Sequence, residues 1–233
     1  TSISMKNLVV SKMKTTATGS NQGAITITCK VGNIEIDAII FTNNKNAASQ
    51  SASKFPYVNS FSATTFGDVK SSDWFYGDVE KSYKIGLMNG RDNGSFDPNG
   101  NVTLAEAITV ASRINALYNG KTIAAAAAGQ KWYDTYVAYA QTAGIIKAGQ
   151  FADVTKPATR SEVAVMFANA MPAAWYTAKN MFTSIPDVAS SDAAYKQILT
   201  LYNAGVVVGS DDAHNFMPAN NIKRSELSAI INR

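Results

Sequence analysis

The stretch "GLMNGRDNGSFDPNGNVTLAEA", Gly86 to Ala107, decides how the chain is read. Its glycines and aspartates suggest a phosphate cradle or a calcium loop. It lacks the Gly-Lys-Ser/Thr end of a phosphate-binding loop, and the alternating acidic spacing of a calcium loop is absent. It reads instead as punctuation. Gly86 suits the left-handed stop of a helix that precedes it. A turn-rich loop carrying Phe96 follows. Thr103-Leu104-Ala105-Glu106 then forms a capping box, in which the threonine hydroxyl takes the amide of the glutamate and the glutamate reaches back to the threonine amide. The stretch is the hinge of a helix–loop–helix.

The same pattern recurs on either side. "FGDVKSSDWFYGDVEKSYKIG" (Phe66–Gly86) supplies the first helix, with Trp74 twelve residues before Gly86. "KWYDTYVAYAQTAG" (Lys131–Gly144) repeats that Trp-to-Gly spacing from Trp132, and its apolar residues Val137, Ala140 and Ile145 fall at helical intervals. "IPDVASSDAAYKQILTLYNAG" (Ile185–Gly205) keeps the Asp-Val pair but has Ala193 where tryptophan is expected. After each glycine comes a loop phenylalanine, Phe96, Phe151 or Phe216. A second helix then opens with "TLAEAITVASRI", "TRSEVAVMFANAM" or "KRSELSAIINR". The expected fold is mainly α, with a helix–loop–helix in each of 61–120, 121–178 and 179–233. Lys223 stands where a capping threonine is expected, so the third second-helix should start about 1 kcal/mol less well satisfied.

Upstream the texture changes. "AITITCKVGNIEIDAII", residues 24–40, alternates apolar and polar around Gly32-Asn33, a two-residue hairpin signal. Pairing across that turn sets Val31 opposite Ile34, Cys29 opposite Ile36, Ile27 opposite Ala38 and Lys30 opposite Glu35. Residues 42–65, rich in Ser, Asn and Ala, read as a linker. Residues 1–60 therefore form a β-hairpin segment with a Ser/Asn-rich linker.

Composition narrows the function. The 233 residues carry 21 Lys+Arg and 17 Asp+Glu, a mild basic excess that suits an anionic partner but does not indicate nucleic acid. One cysteine, Cys29, and one histidine, His214, exclude an internal disulfide and a multi-ligand Cys/His zinc site. No metal or cofactor site is expected. The longest apolar run, "IAAAAAG", is too short to span a bilayer, and no leader pattern stands at Thr1 from which to read a compartment.

The tandem pattern Phe-x-Asp-Val … Trp … Gly … Phe-x-Pro … Thr-x-x-Glu closely resembles the S-layer homology (SLH) module, over residues 66–233. The resemblance implies three modules closed into a pseudo-threefold prism. It implies grooves between modules that bind the anionic secondary cell wall polymer of Gram-positive bacteria, typically ending in a pyruvylated N-acetylmannosamine. A secreted protein held non-covalently at the cell wall, with scope for self-association in a surface layer, follows from the same resemblance. Three departures stand out. The first module has Leu104 where the sisters have Arg160 and Arg224, the second lacks an Asp-Val lead-in, and the third opens on Lys223. The grooves are therefore expected to be unequal, with the one depending on Leu104 weakest and the 86–100 loop bordering it.

Ligand-binding candidates follow from the motif. Arg160 and Arg224, at the first helical position, offer planar forks for a carboxylate beside free helix-start amides. Trp74 and Trp132 either stack on a sugar face or anchor the core. Asp68 and Asp187 either cap the first helix or accept sugar hydroxyls. Gly90 and Gly209, in the loops, complete the set. Glu106 and Glu162 are read as caps, Tyr133, Tyr136 and Tyr139 as divided between core and rim, and His214 as solvated. No constellation in the sequence calls for catalysis, so an enzyme is not expected. The alternative to a polymer anchor is a structural S-layer or protein-interaction module with degenerate grooves.

Overall fold

The computed structural model describes residues 24–31, 34–42 and 54–233. These fall in two compact units that divide between Ser53 and Lys54. In the first, β1 (Ala24–Val31) and β2 (Ile34–Thr42) pair antiparallel. Val31 lies opposite Ile34, Lys30 opposite Glu35 and Cys29 opposite Ile36. Beyond Cys29 the register shifts, and Ile27 pairs with Ile39 rather than with Ala38. An extra residue in β2 accounts for the shift, and Ile25 pairs with Phe41. The expected turn at Gly32-Asn33 lies outside the described residues.

The second unit is helical. Its elements are α1 (Tyr76–Lys84), α2 (Leu104–Tyr118), α3 (Asp134–Thr142), α4 (Arg160–Ala170), α5 (Tyr195–Asn203) and α6 (Arg224–Asn232), with a 3-10 turn at Ala173–Trp175. Gly86, Gly144 and Gly205 end α1, α3 and α5 at φ of 77°, 73° and 72°, a region closed to most side chains. Thr103 and Thr159 cap α2 and α4 in full capping boxes with Glu106 and Glu162. At α6 only half of the box forms. Glu226 accepts from the Lys223 amide at 2.8 Å, but an ammonium has no lone pair to offer the amide of Glu226.

The helices do not pack within their own segments. α3 lies on α2, α5 on α4, and α1 closes the circle on α6, so each first helix covers the second helix of the preceding segment. α2 and α4 also touch directly. At the centre the backbone makes a closed ring. Val102 N–H donates to the Ile222 carbonyl (2.9 Å), Ile222 N–H to Ala158 (3.1 Å), and Ala158 N–H to Val102 (2.8 Å). All three side chains are fully buried. The first two amides of each following helix continue the ring. Leu104 and Ala105 donate to Lys156 and Val154, Arg160 and Ser161 to Asn220 and Pro218, and Arg224 and Ser225 to Gly100 and Pro98. A helix start leaves such amides without intrahelical partners, and here the neighbouring segment supplies the acceptors.

Residues 54–65, expected as the end of a linker, belong to this unit. The Val58 and Asn59 amides donate to the Lys84 carbonyl, and the Phe61 ring packs among Phe66, Tyr76 and Tyr83. Phe61 is a large aromatic that buries area against α1, an effect the surrounding Ser and Asn composition conceals.

Candidate functional site

Two cavities open at corresponding places in the helical unit. One, of about 170 Å³, lies between the 207–210 loop and α6, with Trp74 on its rim and Arg160 in its wall. The other, of about 540 Å³, lies between the 87–92 loop and α2, with Trp132 on its rim and Arg224 in its wall. Each draws its tryptophan from the segment after its loop and its arginine from the segment before. Position by position Gly209 matches Gly90, Glu226 matches Glu106, and Ile230 matches Val110.

The arginines reach these sites through the closed ring. Arg224 is 4% exposed. Its Nε donates to the Phe96 carbonyl at 2.7 Å, Nη2 to the Asn89 carbonyl at 2.6 Å and Nη1 to Glu106 Oε1 at 2.9 Å. Its guanidinium carbon stands 4.9 Å from the Phe96 ring centre. Arg160 repeats only part of this. Its Nε donates to the Phe216 carbonyl at 2.8 Å, and it sits 5.0 Å over the Phe216 ring. The nearest carboxylate oxygen, Glu226 Oε1, is 3.8 Å from Nη1, an ion pair without a hydrogen bond. Among the described residues nothing accepts a hydrogen bond from its two terminal nitrogens. Burial pulls both guanidinium pKa values below the ordinary arginine range, with Glu226 and Glu106 respectively pulling back.

Several expectations change on this geometry. The helix-start amides beside Arg160 and Arg224 are not free for an anion, because carbonyls of the neighbouring segment occupy them. Asp68 and Asp187 do not cap the first helices, whose starts carry no side-chain cap. Asp68 accepts from the Phe96 and Asp97 amides at 2.8 and 2.7 Å, and Asp187 from the Phe216 and Met217 amides at 2.7 and 2.6 Å. They clamp loops whose next residues, Asp97 and Met217, hold positive φ of 59° and 57°. Trp74 and Trp132 are 65% and 53% exposed, so they are rim residues and not core anchors.

Gly90 and Gly209 line the cavities, and each is a glycine for want of space. A Cβ on Gly90 would stand 2.4 Å from Phe66, and one on Gly209 2.5 Å from the His214 backbone. His214 is exposed, as expected. The 86–100 loop borders the Arg224 cavity. Leu104 is held instead against the second loop through the hydrogen bond its amide donates to the Lys156 carbonyl, because each helix start serves the following segment.

Sequence reasoning missed four contributors, Glu106 as an arginine partner, Arg91, Arg113 and Thr109. Glu106 caps α2 with Oε2 while Oε1 takes both Arg224 and Arg91, the latter at 2.6 Å. Arg113 donates to the Gly86 and Leu87 carbonyls and to the Tyr136 hydroxyl. Thr109, on α2, also lines the larger cavity. Glu106 carried a signal in its capping box, but that motif speaks only for one of its two oxygens. Arg91 and Arg113 lie outside the repeated motif and carried none.

The family model described as S-layer homology domain matches residues 65–108 and 184–228. Among curated proteins the chain is similar to "S-layer protein sap" of Bacillus anthracis, at 34% identity over 86 residues, which is 36% of this chain and 10% of that protein. It is similar to the "Exoglucanase XynX" of Acetivibrio thermocellus at 32% over 112 residues, 43% of this chain and 10% of that protein. It is similar to an "Amylopullulanase" of Thermoanaerobacterium thermosulfurigenes at 49% over 49 residues, 21% of this chain and 3% of that protein. The chain thus covers a tenth or less of each relative's length. Residues 65–108 and 184–228 are thus similar to S-layer homology domains.

Proposed function

We propose that the helical unit is a three-module anchor, a pseudo-threefold prism in which the middle segment is a third S-layer homology module. It holds its protein at the cell surface by binding an anionic wall polysaccharide. The cyclic helix packing and the Val102–Ala158–Ile222 ring support counting the middle segment, since each of the three occupies an equivalent place. Relatives as different as an S-layer protein and two enzymes match this chain over 49 to 112 residues, which supports an anchoring role common to them.

One observation carries the ligand assignment. Arg160 is a buried guanidinium with two terminal nitrogens that meet no acceptor among the described residues, and it lines a small cavity beside an exposed tryptophan. A planar carboxylate satisfies such a fork with two parallel hydrogen bonds, and a sugar ring stacks on indole. A terminal sugar bearing a pyruvate ketal has both features. Arg160→Leu should weaken binding to purified wall sacculi and to a pyruvylated amino sugar by about 30-fold, the worth of a charge-assisted bidentate contact. Sedimentation with sacculi and calorimetry measure it. Undiminished binding to sacculi stripped of their non-peptidoglycan polymer would overturn the proposal and favour a protein-interaction module.

A further inference from the structure

We infer that the helical unit carries a further binding surface outside both cavities, an indole platform at Trp175 that takes an uncharged sugar chain. Tryptophan is on average a well-buried residue, yet all three tryptophans of this chain lie at the surface. Trp74 and Trp132 stand on cavity rims, whereas Trp175, 51% exposed, lines neither cavity. It is nonetheless held in place. Its amide donates to the Pro172 carbonyl at 2.8 Å, and its carbonyl accepts from the Thr177 amide at 3.0 Å. The next residue, Tyr176, is anchored by a hydroxyl that donates to the Phe167 carbonyl. The indole meets the Tyr118 ring edge-on, with centres 5.2 Å apart and planes at 82°. Such a contact fixes the indole and leaves at least one of its faces free of its partner. Tyr118 is fixed in turn by Lys54, whose Nζ donates to its carbonyl at 2.9 Å and lies 3.7 Å over its ring centre. A platform ordered beforehand loses little entropy when a ligand stacks on it.

The pair is built from two features that break the repeat. α2 runs 15 residues against the 11 of α4, and its extra turn carries Tyr118. The 3-10 turn that presents Trp175 is the only one among the described residues. Asn115 ties the two places together, its Nδ2 donating to the Ala170 carbonyl at 2.8 Å. The surroundings select the ligand. The C-terminal ends of α2 and α4 meet here, and their partial negative charge disfavours an anion. Lys54, the cation that touches the pair, is committed to the Tyr118 carbonyl and ring. The neighbours of the two rings in the chain, Asn119, Gly120, Ala173 and Ala174, are small or polar and exposed. A protein partner calls for a contiguous apolar core. An indole in small and polar surroundings instead suits a sugar ring, which is apolar on its faces and hydroxylated around its rim.

The three indole N–H signals provide the test. The full 233-residue chain, labelled with ¹⁵N, is titrated with chitotetraose and separately with cellotetraose. Both probes are uncharged, and they distinguish an N-acetylated glycan from a plain glucan as the source of the sugar chain. At least one should shift the Trp175 signal while those of Trp74 and Trp132 stay in place. Trp175→Ala identifies the signal and should weaken the active probe about tenfold, the upper end of an aromatic contact's worth. Trp175→Phe keeps a smaller ring and should recover part of the binding, which separates stacking from a loss of fold in the alanine variant. If neither tetrasaccharide moves the Trp175 signal, or all three indoles move alike, the platform is not a sugar site. A Trp175 signal that moves only as the protein itself is concentrated overturns the proposal in favour of contact between copies. None of these outcomes touches the groove reading, which is tested at Arg160.

Discussion

Arg224 and Arg160 occupy equivalent places, yet replacing each with leucine should give very different losses of stability. Leucine is the natural comparison, because Leu104 fills the same position in the first segment and is 4% exposed there. Arg224→Leu removes three hydrogen bonds and leaves the carbonyls of Phe96 and Asn89 to find other partners. Glu106 is not stranded, since Arg91 still donates to it at 2.6 Å. Breaking a buried pair outright costs about 3–5 kcal/mol, so with the carboxylate still paired the loss should fall at the lower end, about 3 kcal/mol. Arg160→Leu removes one hydrogen bond and an ion pair at 3.8 Å, and relieves the desolvation of a poorly satisfied cation. Its cost should be about 1 kcal/mol. Urea unfolding followed by circular dichroism reads both, provided the slope m is unchanged between variants. Equal losses, or a larger one for Arg160→Leu, would refute the distinction between a strut and a ligand-facing arginine.

Lys223→Thr should complete the one capping box that is half formed, adding about 1 kcal/mol of stability and raising the midpoint of thermal unfolding; an unchanged or lowered midpoint counts against the cap. Asp78, in the first turn of α1, has its carboxyl pushed above the ordinary value of 3.8, chiefly by burial, with Arg233 and Lys81 opposing. A raised acid pKa favours the fold below the unfolded value, and that contribution is lost as pH rises through the folded value. Asp78→Asn should therefore stabilise the protein at pH 7 and lose that advantage below about pH 3.8. Melting curves at the two pH values check the sign, and a variant less stable at pH 7 contradicts it.

The helices were legible because their signals are local. A glycine in the left-handed region, a Thr-x-x-Glu box and apolar spacing of three and four each act within a turn or two of chain. The partners of the functional side chains are not local. Arg224 bonds to Phe96 across 128 residues, and Asp187 to Phe216 across 29. A motif marks such a residue without saying whether it holds the ligand or the neighbouring segment. The helix-cap reading of Asp68 and Asp187 fails for this reason, since an aspartate ahead of a helix reads as a cap until the loop it clamps is in view. The tryptophans were ambiguous for a related reason. Trp74 and Trp132 lie just ahead of α1 and α3, where helical periodicity does not assign a face.

Closing three segments into a ring also changes what a substitution in the motif means. Each second helix starts against the following segment's loop, so the residue at its first position acts on a groove other than that of its own loop. Leu104 thus leaves the 86–100 loop untouched, and that loop borders the larger cavity with its arginine in place. The deficit falls instead on the surroundings of the second loop, where the ring brings Leu104 to Lys156. The same segment boundary has Ala193 where the pattern calls for tryptophan. Two losses that lie 89 residues apart in sequence (193 − 104) therefore converge on one groove. Restoring either side chain alone would still leave that groove without the other, and only Leu104→Arg combined with Ala193→Trp rebuilds the pair that the other two share.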